Sequence, residues 1–356
     1  MASASPPSTS RAYRRTTGPY PLTLTPTTSP LPAASSLGPY DVLLRIRAVA
    51  LNFRDVAMLH EGRYPVRVAA GGIPGSDCAG EVVRVGEKVE KFRTGDRVAP
   101  TFDLAHLTGE GKEREAGMCA LGGDVDGVLR EWGVWREEVL VALPGGLGGE
   151  EAATITCAGV TAWKALNSLR VQSDSVALLQ GTGGVSMFAL QLCVAAGIKP
   201  IITSSSDEKL EAIKKLSPAV EGINYKKHAD VAAEVLRLTE GKGVDIVVNN
   251  TGMGSFPSDF ASLRKRYGTI SWVGFLEGIK GDWDPSHLFA LMTKSAKIQG
   301  IAVGSRKDFE DVCKFLEDKK VQLTPIIDRV FTFDEAPQAF EYLYSGKHTG
   351  KVVIKL

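Results

Sequence analysis

The chain has 356 residues, room for two domains at about 150 residues each. Its 42 Lys and Arg against 41 Asp and Glu leave a net charge of +1, which excludes the broad basic footprint of a nucleic-acid or anionic-membrane binder. No run of about 18 consecutive apolar residues is present, so no transmembrane helix is expected. The cysteines, at 78, 119, 157, 193 and 313, are odd in number and contain no CxxC pair. That excludes a disulfide framework and a compact zinc knuckle, and it fits a reducing compartment such as the cytoplasm.

Residues 1–40 lack acids and carry Arg11, Arg14 and Arg15, a composition shared with mitochondrial leaders. Seven prolines from Pro6 to Pro32 oppose a targeting helix, and a disordered tip followed by an extended hairpin is the preferred reading. Val42–Ala50 (VLLRIRAVA) alternates as a half-buried strand. Residues 78–100 hold short valine-rich strands punctuated by Gly80, Gly86 and Gly95, the mark of a small barrel or sandwich. Residues 103–127 are glycine-rich and charged and are expected to form a surface loop. WGVWREEVLVALP returns to strand.

After residue 150 the pattern changes. ATITCAGVTAWKALNSL reads as helical, and VALLQ (176–180) as a strand buried on both faces. A helix-length apolar segment follows, then IITSS (201–205), DEKLEAIKKL, VDIVVNN and GTISWVG. Strands alternating with helices predict an α/β domain with a parallel sheet. The end of the chain reads strand (FTF), helix (DEAPQAFEYLYSG), strand (KVVIKL). The expected division is residues 1–150 as a β-rich domain, rejoined by 305–356, and residues 151–304 as the α/β domain.

Between VALLQ and its helix stand Gly181, Thr182, Gly183, Gly184, Val185 and Ser186. A GxGxxG turn between strand and helix lets backbone approach a pyrophosphate at a helix N-terminus. Here Ser186 replaces the third glycine. The tip of the second strand, about 20 residues on, selects the ribose. It carries Ser204 and Ser205, with Lys209 close behind, which suits the 2′-phosphate of NADP(H). Asp207 is read as the N-cap or first turn of the following helix.

LNFRDVAMLHEGRYP (51–65), IPGSDCAGEVVRVGEKVEKFRTGDRV (73–98), GTGGVS (181–186) and HTGKVVIKL (348–356) together resemble the medium-chain dehydrogenase/reductase superfamily along nearly the whole chain. The likeness is nearest to the zinc-free quinone oxidoreductase and enoyl reductase branch, and to fungal proteins labelled zinc-type alcohol dehydrogenase-like. It implies a GroES-like β-barrel catalytic domain, a Rossmann dinucleotide-binding domain, and catalysis in the cleft between them. A catalytic zinc needs about three Cys, His or carboxylate ligands. The family's first cysteine ligand would fall near Asn52–Arg54 and its histidine where Ser76 and Asp77 stand. Only Cys157 matches a ligand position, and residues 100–125 offer Cys119 alone for a structural zinc. No metal is expected.

The resemblance marks Tyr64 as the proton donor of enoyl reductases. Its alternative role is capping the turn before Pro65. Asn52 is placed near nicotinamide and substrate, with a loop-holding Asx bond as its alternative. Arg54 and Asp55 read as a structural ion pair, and His60 as structural or substrate-facing. Thr161 is placed beside the nicotinamide, and Lys351 either at the coenzyme phosphates or on the surface. Phe275, Trp283 and Phe289 are expected to wall an apolar substrate site, and a homodimer is suggested by the likeness alone. The leading functional expectation is NADPH-dependent reduction of an activated C=C in a hydrophobic enone, quinone or polyketide-like molecule. A zinc-independent carbonyl reductase and a non-redox binding protein or isomerase are the alternatives.

Overall fold

The computed structural model describes residues 7–65, 68–113, 115–169 and 174–356. The tip at residues 1–6 and Arg114 of the expected surface loop lie outside the described residues. The chain divides into two units: Met1–Ala158 with Gly304–Leu356, and Gly159–Val303. The first break falls after Ala158 rather than after 150, because the short helix Gly149–Ala152 packs on barrel strands.

The first unit begins with the expected hairpin, β1 (Thr9–Arg15) and β2 (Leu24–Pro30), paired antiparallel. Its main sheet uses β3 (Asp41–Ala50), β4 (Asp77–Val85), β5 (Arg97–Pro100), β6 (Trp132–Arg136) and β7 (Leu140–Ala142). In the second unit follow β8 (Val176–Leu179), β9 (Lys199–Ser204), β10 (Glu221–Asn224), β11 (Ile246–Asn249), β12 (Thr269–Trp272) and β13 (Lys297–Gly300). The chain then returns to the first unit with β14 (Ile327–Thr332) and β15 (Lys351–Lys355).

The seven-stranded sheet runs β14-β15-β3-β4-β5-β7, with β6 also paired to β3. The central strand β3 is more buried than a half-buried reading allows: only Arg45 is exposed along it. Neighbours on both sides and a core including Leu44, Ile46, Val82, Val128 and Phe340 explain why. The 103–127 segment is also only partly a surface loop. Ala120 and Leu121 are buried, and Gly122 and Gly127 lie so close to Gly75 that a Cβ at either would overlap its backbone. Glycine is required there by contact, and at Gly122 also by a φ of +71°.

The second sheet is parallel throughout, in the order β10-β9-β8-β11-β12-β13. Numbered within the unit this is 3-2-1-4-5-6, the doubly wound Rossmann order, whose switch point lies between β8 and β11. Its core gathers Leu178, Ile201, Val247, Phe256, Phe260 and Ile270. The segment from residue 155 is not one helix: a π-helical turn (Ile155–Gly159) leads into Val160–Ala165. Among the described residues no helix is long and apolar enough to cross a membrane.

Candidate active site

Three adjacent strands bring together residues far apart in sequence. β15 pairs antiparallel with β3, and Leu51 N–H extends the ladder to Val352 O at 2.9 Å. This sets Lys351 beside Leu51 and Asn52. β4 pairs on the other side, Asp77 opposite Ala50. At this shared end Lys351 Nζ donates to Leu51 O and to Asn52 Oδ1, each at 2.7 Å. Asn52 Nδ2 in turn donates to Asp77 Oδ2. The Ser76 hydroxyl donates to the same oxygen at 3.1 Å, and the Cys157 backbone N–H donates to Asp77 Oδ1.

Lys351 and Asp77 are both buried, so the surface alternative for Lys351 does not hold. Burial pushes the Asp77 carboxyl up to about 6, although Lys351 and the bonds from Asn52 and Cys157 pull it down. Asp77 is the residue that sequence reasoning passed over. It lay in a recognised motif, but only as a missing zinc ligand.

Asn52 also starts the short helix Phe53–Ala57, its own N–H donating to Asp55 Oδ2 at 2.8 Å. Asp55 is thus used by the helix start, and its neighbour turns elsewhere: Arg54 Nη1 donates to Leu121 O at 2.8 Å. The Arg54 guanidinium lies over the Phe102 ring at 4.7 Å and the Tyr64 ring at 6.0 Å, and it hydrogen-bonds Tyr64. The pair is not joined as a simple Arg54–Asp55 bridge. Burial raises the Tyr64 phenol above its ordinary value, against the opposing pull of Arg54. The phenol is therefore a protonated donor at neutral pH. His60 stacks on Tyr344 at 4.1 Å, a packing contact.

In the second unit, Gly181 has φ +77° and its N–H donates to Thr203 Oγ1 at 3.0 Å. Gly183 has an ordinary φ of −79°, yet a Cβ there would meet no protein atom within 4 Å. Packing within the chain does not require that glycine, whereas backbone approach to a pyrophosphate does. Gly181, Thr182, Gly183, Gly184 and Val185 are half-buried, ahead of the helix Gly184–Ala196. Ser186 is buried. Its hydroxyl donates to Gln180 O at 2.7 Å and accepts from Asn250 Nδ2 at 3.0 Å. The departure from glycine thus adds a clasp to the loop.

Ser204 is buried and Ser205 exposed, with Lys209 half-buried behind them. The helix N-cap is Ser206, accepting from Lys209 N–H at 3.2 Å. Asp207 stands in the first turn, held by Lys227 at 2.5 Å and by Asn224 Nδ2 at 2.7 Å. Thr161 is buried in Val160–Ala165. Trp283 packs on Phe256 and Phe260 and donates Nε1 to Met253 O at 2.8 Å. Phe275 is half-buried after β12, whereas Phe289 is 62% exposed on the same unit.

The barrel residues fit a metal poorly. Asn52 Oδ1 already accepts from an ammonium, and Asp77 accepts from three donors. Burial, with Asp77 close by, pushes the Cys157 thiol up to about 12. Among the described residues no three His, Cys, Asp or Glu side chains group as metal ligands would.

Residues 38–145 match the family described as alcohol dehydrogenase GroES-like domain, and residues 184–318 the one described as zinc-binding dehydrogenase. A zinc-type alcohol dehydrogenase-like protein of Schizosaccharomyces pombe is 41% identical over 325 residues, spanning 90% of this chain and 92% of its own length. A quinone oxidoreductase of Pseudomonas aeruginosa is 30% identical over 327 residues, spanning 89% and 91%. A solved structure described as an alcohol dehydrogenase of Sinorhizobium meliloti superposes with a TM-score of 0.87 at 34% identity, covering 98% of this chain and 99% of its own. With both family halves matched in order and the strand order of a dinucleotide-binding sheet, the chain belongs to the medium-chain dehydrogenase/reductase superfamily of nicotinamide-dependent oxidoreductases.

Proposed function

We propose that this protein is a zinc-independent, NADPH-dependent reductase of an activated C=C bond, acting on a hydrophobic enone, quinone or polyketide-like molecule. The observation that carries the reading is the pairing of Tyr64 with Arg54. A half-buried phenol, kept protonated by its surroundings, stands hydrogen-bonded to a buried guanidinium. When bound, NADPH supplies the hydride that adds to the β-carbon of the alkene. Tyr64 then gives its proton to the enolate, and Arg54 stabilises the phenolate left behind. Asn52, fixed by Lys351 and Asp77, is the neighbouring polar group available to orient a carbonyl. The relative named quinone oxidoreductase supports the substrate class.

The coenzyme choice rests on Ser204, Ser205 and Lys209. It is also supported by Asp207, whose carboxylate is engaged by Lys227 and Asn224 rather than left facing a ribose. Zinc-independence rests on the donor set around Asp77. A homodimer and a cytoplasmic setting complete the reading. The first is supported by exposed Phe289 and Met292 just ahead of the edge strand β13. The second is supported by five free cysteines. The test is product analysis after incubation with an enone and NADPH or NADH. The saturated ketone, formed faster with NADPH, is expected; an allylic alcohol as sole product, or a tenfold preference for NADH, overturns the corresponding part.

A further inference from the structure

One buried carboxylate takes no part in the chemistry above. Asp259 lies in the helix Phe256–Ser262 and is almost wholly buried. Three side chains donate to it: Gln180 Nε2 to Oδ1 at 2.7 Å, Asn249 Nδ2 to Oδ2 at 2.6 Å, and the Ser255 hydroxyl to Oδ2 at 3.1 Å. Gln180 follows β8, and Asn249 ends β11. These are the two strands at the switch point of the sheet, where open α/β sheets bind their ligands beyond the strand ends.

Both amides pass the anchorage on. Gln180 Oε1 accepts from Thr251 N–H at 3.2 Å, and Gln180 O accepts from Ser186 Oγ and Asn250 Nδ2. Asn249 Oδ1 accepts from Gly252 N–H at 2.9 Å. The glycine loop 180–186 and the loop 249–255 are therefore tied to each other and, through both amides, to one carboxylate. Two amides side by side each present N–H donors, which they share between Ser255 Oγ, at 3.2 and 2.8 Å, and the carboxylate. An anion with two free oxygens accepts from both without adding a donor. The cost is visible in Asp259 itself: burial pushes its carboxyl up to about 7 against the pull of its three donors.

We propose that Asp259 is a positioning residue for the nicotinamide coenzyme: by accepting from Gln180, Asn249 and Ser255 it fixes the two switch-point loops in the mutual register that receives the dinucleotide. The proposal needs only the family's coenzyme binding and stands apart from the substrate and from the choice between NADPH and NADH. Replacing the carboxylate by an amide puts an NH₂ group where one oxygen accepted, so Gln180 or Asn249 loses its charged acceptor and its hold on the loop weakens.

The experiment is calorimetric binding of NADPH and of NADH to the full-length protein, with thermal unfolding measured alongside. Asp259→Asn is compared with Ile246→Ala, which opens a cavity at the opposite end of β11 and lowers stability without touching the network. The expected result is at least tenfold weaker binding of the preferred coenzyme by Asp259→Asn, with Ile246→Ala close to wild type. Should Asp259→Asn fail to fold, Ser255→Ala removes one donor to Asp259 together with the hydroxyl oxygen that accepts from Gln180 and Asn249, and is expected to weaken binding about threefold. Wild-type affinity in either network variant, or a loss no larger than that of Ile246→Ala, overturns the proposal. A wild-type preference for NADH overturns the coenzyme choice made above and leaves this reading to be judged on NADH.

Discussion

Lys351 Nζ and Asn52 Oδ1 are 2.7 Å apart although 299 residues separate them in the chain. The contact closes the barrel unit: the last strand delivers a buried cation to the turn that starts the Asn52 helix, beside the buried carboxyl of Asp77. Lys351→Met keeps the length of the stem and deletes the charge. It leaves Leu51 O and Asn52 Oδ1 without their donor and Asp77 without its cation. Unpairing a buried charge costs about 3–5 kcal/mol, and a loss of that size is expected in chemical denaturation. A loss below about 1 kcal/mol would show that the ammonium is not anchoring this corner.

Asp77 makes stability depend on pH. Its folded value of about 6 lies above the roughly 3.9 of an unfolded aspartate. Between these values the folded state holds a proton that the unfolded state has released. Its contribution is therefore full below about pH 4 and is lost as pH rises through about 6. Asp77→Asn lacks this linkage. The stability of the wild type relative to this variant should fall from pH 4 to 6 and level off above; a flat difference would contradict the assignment.

Tyr64→Phe removes the proposed proton and keeps the ring. General-acid catalysis is worth about 10²- to 10⁴-fold, so kcat with an enone should fall within that range while KM stays nearly constant. Because the Tyr64 phenol is raised above its ordinary value, the wild-type rate should show no alkaline decline due to this group below about pH 10. Unchanged turnover in Tyr64→Phe would remove it from the mechanism.

Gly183→Ala separates fold from ligand. The added methyl meets no protein atom and the backbone is ordinary, so the melting temperature should stay within the change expected of about 0.5 kcal/mol. Coenzyme affinity should fall by about tenfold or more, since the methyl stands where a pyrophosphate approaches. Unaltered binding would mean that the dinucleotide does not lie over Gly183.

Much of the fold was legible because local patterns and global packing agree. The continuous apolar VALLQ needs burial on both faces, and the sheet supplies it. The glycine turn opens the helix at Gly184 as its residues require. The failures have equally local causes. Residues 103–127 look like solvent-facing loop by composition, yet Arg54 needs an acceptor and finds Leu121 O, drawing part of the loop inward. Arg54 and Asp55 are adjacent and opposite in charge, but successive helical side chains diverge, so each finds a different partner. Trp283, expected at a substrate wall, is not among these failures; its type leaves open only the anchorage that the fold supplies, its indole N–H donating to Met253 O within the sheet unit.

By itself the sequence determined the classes of element, the order of barrel and dinucleotide domains and the glycine loop, because period, turn chemistry and motif spacing are local properties; Tyr64, Asn52 and Lys351 were marked by the family resemblance alone. Only the tertiary structure decided that Lys351, Asn52 and Asp77 form one buried relay and that Gln180, Asn249 and Ser255 converge on Asp259. Those meetings depend on which strands are neighbours, β15 with β3 with β4 and β8 with β11. Strand adjacency between distant segments is set by burial of the whole sheet, which no window of sequence contains.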